Sequence, residues 1–237
     1  MTLDICPAPA LYPFYRKAND TVIVVDVFRA SATMCAMLHN GAAAVIPVAS
    51  VEEAQAYKAE GYLVGAERNT QKCDFADFGN SPFDYTREIV QGKEVVFTTT
   101  NGTQAINAAY DAKHLFIGTF SNIDALVEKC VGIGGRVVVL CAGWNNRVNV
   151  EDSMFGGAFA EKLVELTNTI FDSDAVRIAL ELWRQAKADP LSYIKNTDHF
   201  RRLIENGAEG DAAFCLRENT VTVVPRYDKV DRKLWIK

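Results

Sequence analysis

Three acidic side chains of this chain sit beside apolar runs, where a charge has to be explained. Asp26 lies inside "TVIVVDVF" (21–28), and Glu151 and Asp152 open "EDSMFGGAFAEKLVEL". A lone carboxylate in an apolar run is costly to bury without a partner. Asp26 therefore either faces a pocket, as a metal ligand or a base, or is paired within the protein. Arg29, three residues on, carries a planar fork suited to a phosphate or sulfonate. An internal Asp26–Arg29 ion pair capping the next helix satisfies the same spacing. Glu151 and Asp152, in the first turn of a helix, complement its dipole. They could also ligate Mg²⁺, which takes one or two carboxylates together with water and substrate phosphate.

A second group is rich in donors. "VVFTTTNGTQAI" (95–106) passes from strand to helix through Thr99, Thr100, Asn101, Gly102 and Thr103. Hydroxyls, backbone N–H groups at a helix start and a glycine allowing close approach are what a phosphate needs. An N-cap with a tight turn uses the same residue types, yet four hydroxyls exceed what one cap requires. Arg68 in "GAER" is a further cation for an acidic group. Asn80 and Ser81 in "GNSP" either donate to an anion or form a turn fixed by Pro82. His199 reads as a surface or capping residue, and Trp183, Trp235 and Tyr193 as packing or interface residues.

The elements that must position these groups alternate. "TVIVVDVF" leads into the helical "RASATMCAMLHNG", "EVVFTTT" (94–100) into "NGTQAINAAY", and "RVVVLCAG" (136–143) through "WNNRVNV" into the helix opened by Glu151. Weaker strands at 43–49, 62–67 and 114–119 are separated by helical segments near 51–60 and 122–131. The pattern predicts an α/β fold with a largely parallel or mixed sheet covered by helices on both faces. From about Asp172 the chain turns helical, with "TVTVVP" (220–225) as a late strand. No Gly-, Ser- or Pro-rich linker interrupts residues 1–237, so a single domain is expected. In such folds ligands bind beyond the carboxyl ends of the strands, which would gather residues 26–31, 67–68, 98–103 and 142–152 at one edge.

Composition narrows the function. The chain of 237 residues has a formal net charge of -5, with 49% hydrophobic residues. That balance argues against a nucleic-acid partner, since a protein that neutralises many phosphates usually shows a basic face or arm, and it leaves room for a local basic pocket. Six cysteines without a C-x-x-C pair and three histidines build no zinc spacing. Reduced, mostly buried thiols in a cytoplasmic protein are expected. No signal peptide is evident, and the uncharged stretch 30–51 is broken by Asn40-Gly41 and Pro47, so it reads as buried core and not as a membrane span. A homodimer is expected only because twofold assemblies are common. There is no P-loop, no G-x-G-x-x-G after a strand and no G-x-S-x-G elbow. The scheme of phosphatases with a strand-end aspartate nucleophile does not transfer, because Phe28 stands where their second aspartate falls.

Taken in order, "DVFRASAT", "GAER", "DFGNSP", "TTTNGTQA" and "CAGWNNRVNVEDSMFGGA" resemble the 2-phosphosulfolactate phosphatase family. The likeness runs from about Val22 to Gly157 and continues more weakly to "VVP". It implies a three-layer α/β/α fold and a Mg²⁺-dependent phosphatase of a small acidic substrate. In the family's founding activity, 2-phosphosulfolactate yields sulfolactate and phosphate during coenzyme M biosynthesis. The resemblance further implies that Asp26, Glu151 and Asp152 hold Mg²⁺ directly or through water. Arg29 and the Thr99–Thr103 loop would cradle the phosphate, and Arg68, Asn80 and Ser81 would take the sulfonate or carboxylate end. Variation with substrate is expected at Trp144 and Asn145-Asn146. A phosphoryl-transfer enzyme for another phospho-acid, or a non-catalytic anion binder, would use the same loops.

Overall fold

The computed structural model describes residues 1–236. Among them, eleven strands form one mixed sheet. In chain order they are β1 (Thr2–Cys6), β2 (Thr21–Val25), β3 (Ala44–Pro47), β4 (Leu63–Arg68), β5 (Gln71–Lys72), β6 (Glu94–Thr98), β7 (His114–Gly118), β8 (Arg136–Cys141), β9 (Ile170–Phe171), β10 (Arg226–Asp228) and β11 (Lys233–Trp235). Their spatial order is β5-β4-β6-β3-β11-β10-β7-β2-β8-β1-β9. Two parallel groups result, β4-β6-β3 and β7-β2-β8-β1-β9. The antiparallel hairpin β10–β11 lies between them, pairing with β7 on one side and β3 on the other. The expected α/β class and mixed, largely parallel sheet are borne out.

Side-chain alternation assigns the faces. Along β2, Ile23 and Val25 join a cluster with Leu126, Phe155, Phe159 and Trp183 from the helices Ile123–Ile133, Val150–Leu166 and Asp174–Ala186. Val22 and Val24 point the other way, into a cluster with Met34, Leu38, Ala105 and Ile106 from the helices Ala30–His39 and Gly102–Ala108. That second cluster also receives Val45 of β3 and Val95 and Phe97 of β6, so both parallel groups pack on the same two helices. Val96 of β6 faces a third cluster, with Ile46, Val64 and Ala54. β2 is buried along its whole length, as a nearly continuous apolar run predicts for a strand covered on both faces.

One expected strand is absent. Residues 220–225 are not a strand but an extended strap on the segment 117–122. The Val221 N–H donates to the Ser121 carbonyl, Asn122 Nδ2 donates to the Val223 carbonyl, and the Ile117 N–H donates to the Pro225 carbonyl. Its alternating valines suggest a ladder, but a side chain and irregular partners satisfy the backbone instead. Pairing resumes only at β10.

The region after Asp172 is helical as expected, with Asp174–Ala186, Pro190–Ile194, Asp198–Glu205 and Glu209–Cys215. All six cysteines are free thiols, five buried and Cys73 half-buried. Trp183 packs in the core, whereas Trp235 is half-buried and Tyr193 exposed. No helix among the described residues is long and apolar enough to cross a membrane.

Candidate active site

β2 stops at Val25, and Asp26 begins the turn into the helix Ala30–His39. The turn is tightly closed. The Ser31 N–H donates to the Asp26 carbonyl at 3.0 Å, and the Asp26 N–H donates to Ser31 Oγ at 2.9 Å. The Phe28–Arg29 peptide within it is cis. The Asp26 carboxylate is nearly enclosed and accepts from the Ala30 N–H. Burial pushes its pKa up to about 6; His199 pulls against this, while Glu67 and Glu151 add to it. An acid with that value changes charge close to neutral pH, where a catalytic proton carrier or metal ligand works.

The internal Asp26–Arg29 ion pair is not formed. Arg29 instead donates to Asp211 at 2.5 Å and to the Thr70 carbonyl at 3.3 Å, and Ser81 Oγ donates to the second Asp211 oxygen at 2.9 Å. Asp211 therefore aims the guanidinium from a helix 182 residues away in sequence. Two of the five guanidinium donors are used by these contacts.

The "TTTNGT" turn comes directly against Asp26. A Cβ on Gly102 would lie 2.6 Å from Ala30 Cβ and 2.9 Å from Asp26 Oδ2, so only glycine lets this turn and the carboxylate share the space. Most of the hydroxyls have internal partners. Thr99 and Thr103 close the turn on each other, the Thr103 hydroxyl donating to the Thr99 carbonyl at 3.1 Å. Thr100 Oγ1 donates to Glu67 at 3.0 Å and accepts from the Asn69 N–H at 3.1 Å. Arg68 donates to the Thr98 hydroxyl at 2.9 Å and to the Glu67 carbonyl at 2.6 Å, locking β4 to β6 at their carboxyl ends. Asn80 offers its carbonyl to the Thr33 hydroxyl, while its buried Oδ1 has no partner.

Beyond β8 the loop is built around a tight turn. Trp144 and Arg147 exchange backbone hydrogen bonds across Asn145-Asn146, both at positive φ, the geometry of a primed two-residue turn. Gly143 also has positive φ, and a Cβ there would stand 2.3 Å from the Arg147 carbonyl. Its N–H donates to Asp152 Oδ2 at 3.0 Å, and the Val27 N–H donates to Asp152 Oδ1 at 2.9 Å. Asp152 thus joins the loops after β2 and β8. Burial, with the charges of Glu151 and Asp26, pushes its pKa up, and those two amides oppose the rise. On the other side, Asn145 N–H donates to Asn101 Oδ1 at 3.3 Å, tying this loop to the threonine turn.

Glu151 is fully buried. Its Oε1 lies 2.5 Å from His199 Nδ1, which also meets Asn149 Nδ2 at 3.0 Å, and its Oε2 has no partner. His199 is accordingly a buried site residue and not the surface or capping residue its polarity suggested. The signal was present: His199, Phe200 and Leu203 form the buried stripe of the helix Asp198–Glu205. Asp211 and Arg202 were also missed, whereas Glu67 and Asn149 fall within the expected segments 67–68 and 142–152 but had been given no role. The cation of Arg202 stacks 4.2 Å over the Trp144 ring, whose centroid is 5.9 Å from that of His199. Asn206, just past this helix, donates to the Thr70 hydroxyl at 2.8 Å. One helix therefore touches the loop after β8, the acid opening the Val150–Leu166 helix and the turn after β4.

The carboxyl ends of β2, β4, β6 and β8 thus converge on one site. Among the described residues, no group of three His, Cys, Asp or Glu side chains is placed to hold a metal ion. Asp152 has both oxygens engaged by backbone amides. Asp26 and the unpartnered oxygen of Glu151 are the remaining acidic donors of the expected set.

A family model for 2-phosphosulpholactate phosphatase matches residues 6–230 of the chain. The chain belongs to that family. Its similarity extends across curated relatives at nearly full length. A Thermotoga petrophila protein named "Probable 2-phosphosulfolactate phosphatase" is 37% identical over 205 residues, covering 86% of this chain and 88% of the relative. Proteins of the same name from Caldanaerobacter subterraneus subsp. tengcongensis and Clostridium beijerinckii are 34% and 30% identical, covering 91% and 90% of this chain and 93% and 90% of theirs. The family is one of hydrolases acting on phosphoric monoesters, and the matched span contains Asp26, Arg29, the threonine turn, Glu151 and Asp152.

Proposed function

We propose that this chain hydrolyses the phosphate ester of a small acidic substrate, 2-phosphosulfolactate, to sulfolactate and phosphate. The reaction is of the type used in coenzyme M biosynthesis, and Mg²⁺ is its metal. The observation carrying this reading is the contact of Gly102 with Asp26. It sets the donor-rich turn directly against a buried carboxylate whose pKa is pushed up to about 6.

Asp26 and Glu151 would hold Mg²⁺, which favours one or two carboxylates with water and substrate phosphate. The orphaned Glu151 Oε2 suits such a ligand, and Asp152 then supports the site by fixing the two loops. Bound there, the ion would supply charge neutralisation to the phosphoryl oxygens. Arg29, aimed by Asp211, donates to the phosphate with its unused N–H groups. The Thr99–Thr103 turn orients the ester against Asp26, its threonine pair holding the backbone in shape. Arg68 holds the ends of β4 and β6 together while Asn80 and Ser81 line the side toward the helix Ala30–His39. His199 positions Glu151.

The test is a panel of phosphate esters of small acids, assayed with Mg²⁺ and with chelator. Phosphosulfolactate is expected to release phosphate fastest, and only with the metal present. Asp26→Asn is expected to lose about 10³-fold or more in kcat while still binding inorganic phosphate. Absence of hydrolysis across the panel would overturn the reading.

A further inference from the structure

Arg202 is the cation of this site that no motif announces. It projects from the helix Asp198–Glu205, and its guanidinium carbon lies over the Trp144 ring, 4.2 Å from the centroid. No acidic side chain pairs with it among the described residues, and its buried Nε lacks a hydrogen-bond acceptor. The neighbouring arginines differ: Arg29 is held by Asp211 and Thr70, and Arg68 by Thr98 and Glu67. A buried guanidinium nitrogen without an acceptor is unfavourable unless a ligand provides one. Its surroundings are those of a binding site, since Trp144 continues to His199 and then to Glu151.

We infer that Arg202, over the ring of Trp144, receives the second acidic group of the substrate, the sulfonate, on the Trp144 side of the site. The inference rests on the phosphatase reading and deepens it. Three features support the placement. Asn145 ties the Trp144 loop to Asn101, so the same loop spans from the phosphate turn to Arg202. The indole holds the guanidinium by its carbon, and no Arg202 side-chain donor is engaged among the described residues, which leaves the fork for sulfonate or carboxylate oxygens. Burial also pulls the Arg202 pKa down, with Glu151 the foremost charge opposing that shift. This is the behaviour of a cation partly stripped of water on the acidic side of the site. The sulfonate is thereby assigned to Arg202, while Arg68, two of whose donors hold β6 and its own backbone, stays beside the threonine turn.

The experiment compares two esters with the same carbon skeleton, 2-phosphosulfolactate and 2-phosphoglycerate, in which a hydroxyl replaces the sulfonate. Arg202→Gln is expected to raise the KM for phosphosulfolactate about 10- to 100-fold, the effect of losing one charge-assisted contact. The KM or inhibition constant of 2-phosphoglycerate, and inhibition by inorganic phosphate, should stay within about twofold by the same reasoning. Arg202→Lys, which keeps the charge and the packing stem, should fall between the two proteins. Equal weakening of both esters, or no change in either, would overturn the inference. If the unaltered protein hydrolyses neither ester, the phosphatase reading fails and equilibrium binding of sulfolactate decides the inference alone. Binding that is lost in Arg202→Gln and partly kept in Arg202→Lys sustains it; binding that is unchanged, or absent from the unaltered protein, refutes it.

Discussion

In the unfolded chain Asp26 titrates near its ordinary value of 3.8, and in the folded protein near 6, because folding strips water from its carboxylate. The folded state therefore binds the proton more tightly across that interval. Stability linked to this group is complete below the unfolded pKa and is lost as pH rises through the folded one. In metal-free protein the cost of keeping it ionised is about 3 kcal/mol at most. Asp26→Asn is accordingly expected to raise metal-free stability at pH 8 while abolishing activity, and to raise it little at pH 4. Urea unfolding at the two pH values measures this; equal shifts would show that the carboxylate's charge is not the cause. Asp26 was legible in the sequence because a charge inside a β-branched run needs an explanation. The partner of Arg29 was not, since Asp211 lies 182 residues further on and no periodicity connects them. The threonines were legible as a group, but their hydroxyls proved to brace the turn and Glu67, which local spacing cannot distinguish from donors free for an anion.

The helix Asp198–Glu205 fastens to the site at three places, His199 on the first turn of the helix Val150–Leu166, Arg202 on the loop after β8 and the following Asn206 on the turn after β4. Of these, His199 holds the only fully buried carboxylate oxygen of Glu151 that has a partner. His199→Ala should destabilise the protein by about 2–4 kcal/mol, because it leaves a buried acid without its hydrogen-bond partner. Amide hydrogen exchange along this helix and the Trp144 loop should accelerate more than exchange in β2 and β8. Uniform acceleration would instead mean that the helix does not open as a separate unit. The helix itself was readable from its amphipathic stripe and terminal Asn-Gly. Its docking was not, because polar contacts to turns, two of them with residues at positive φ, determine where it rests. The misread strap at 220–225 has the same origin: valine alternation fits a ladder, while Asn122 and Ser121 capture the backbone.

At the scale of the whole molecule, parallel strands gathered on both sides of a hairpin make one shared core. Val24 of β2, Val45 of β3 and Leu234 of β11 all lie in the cluster that packs on the helices Ala30–His39 and Gly102–Ala108. We propose on this ground that the chain unfolds as one domain. Leu234, without exposed surface, should cost about 2–4 kcal/mol when replaced by alanine. Chains truncated before Arg226 should lose the cooperative thermal transition and bind a hydrophobic dye; a sharp transition retained without the hairpin would show that the two parallel groups hold together unaided. The alternating strand and helix segments were visible in sequence, but this junction was not, because β10 and β11 are only three residues each. The order of synthesis adds a consequence. The ribosome delivers β3 and β7 well before the two strands that separate them, so both keep an unpaired edge while about a hundred further residues are made. Until Trp235 has left the exit tunnel, the nascent chain carries two open β-edges capable of pairing wrongly, and its yield in a cell should depend on elongation speed and on chaperones that cover such edges.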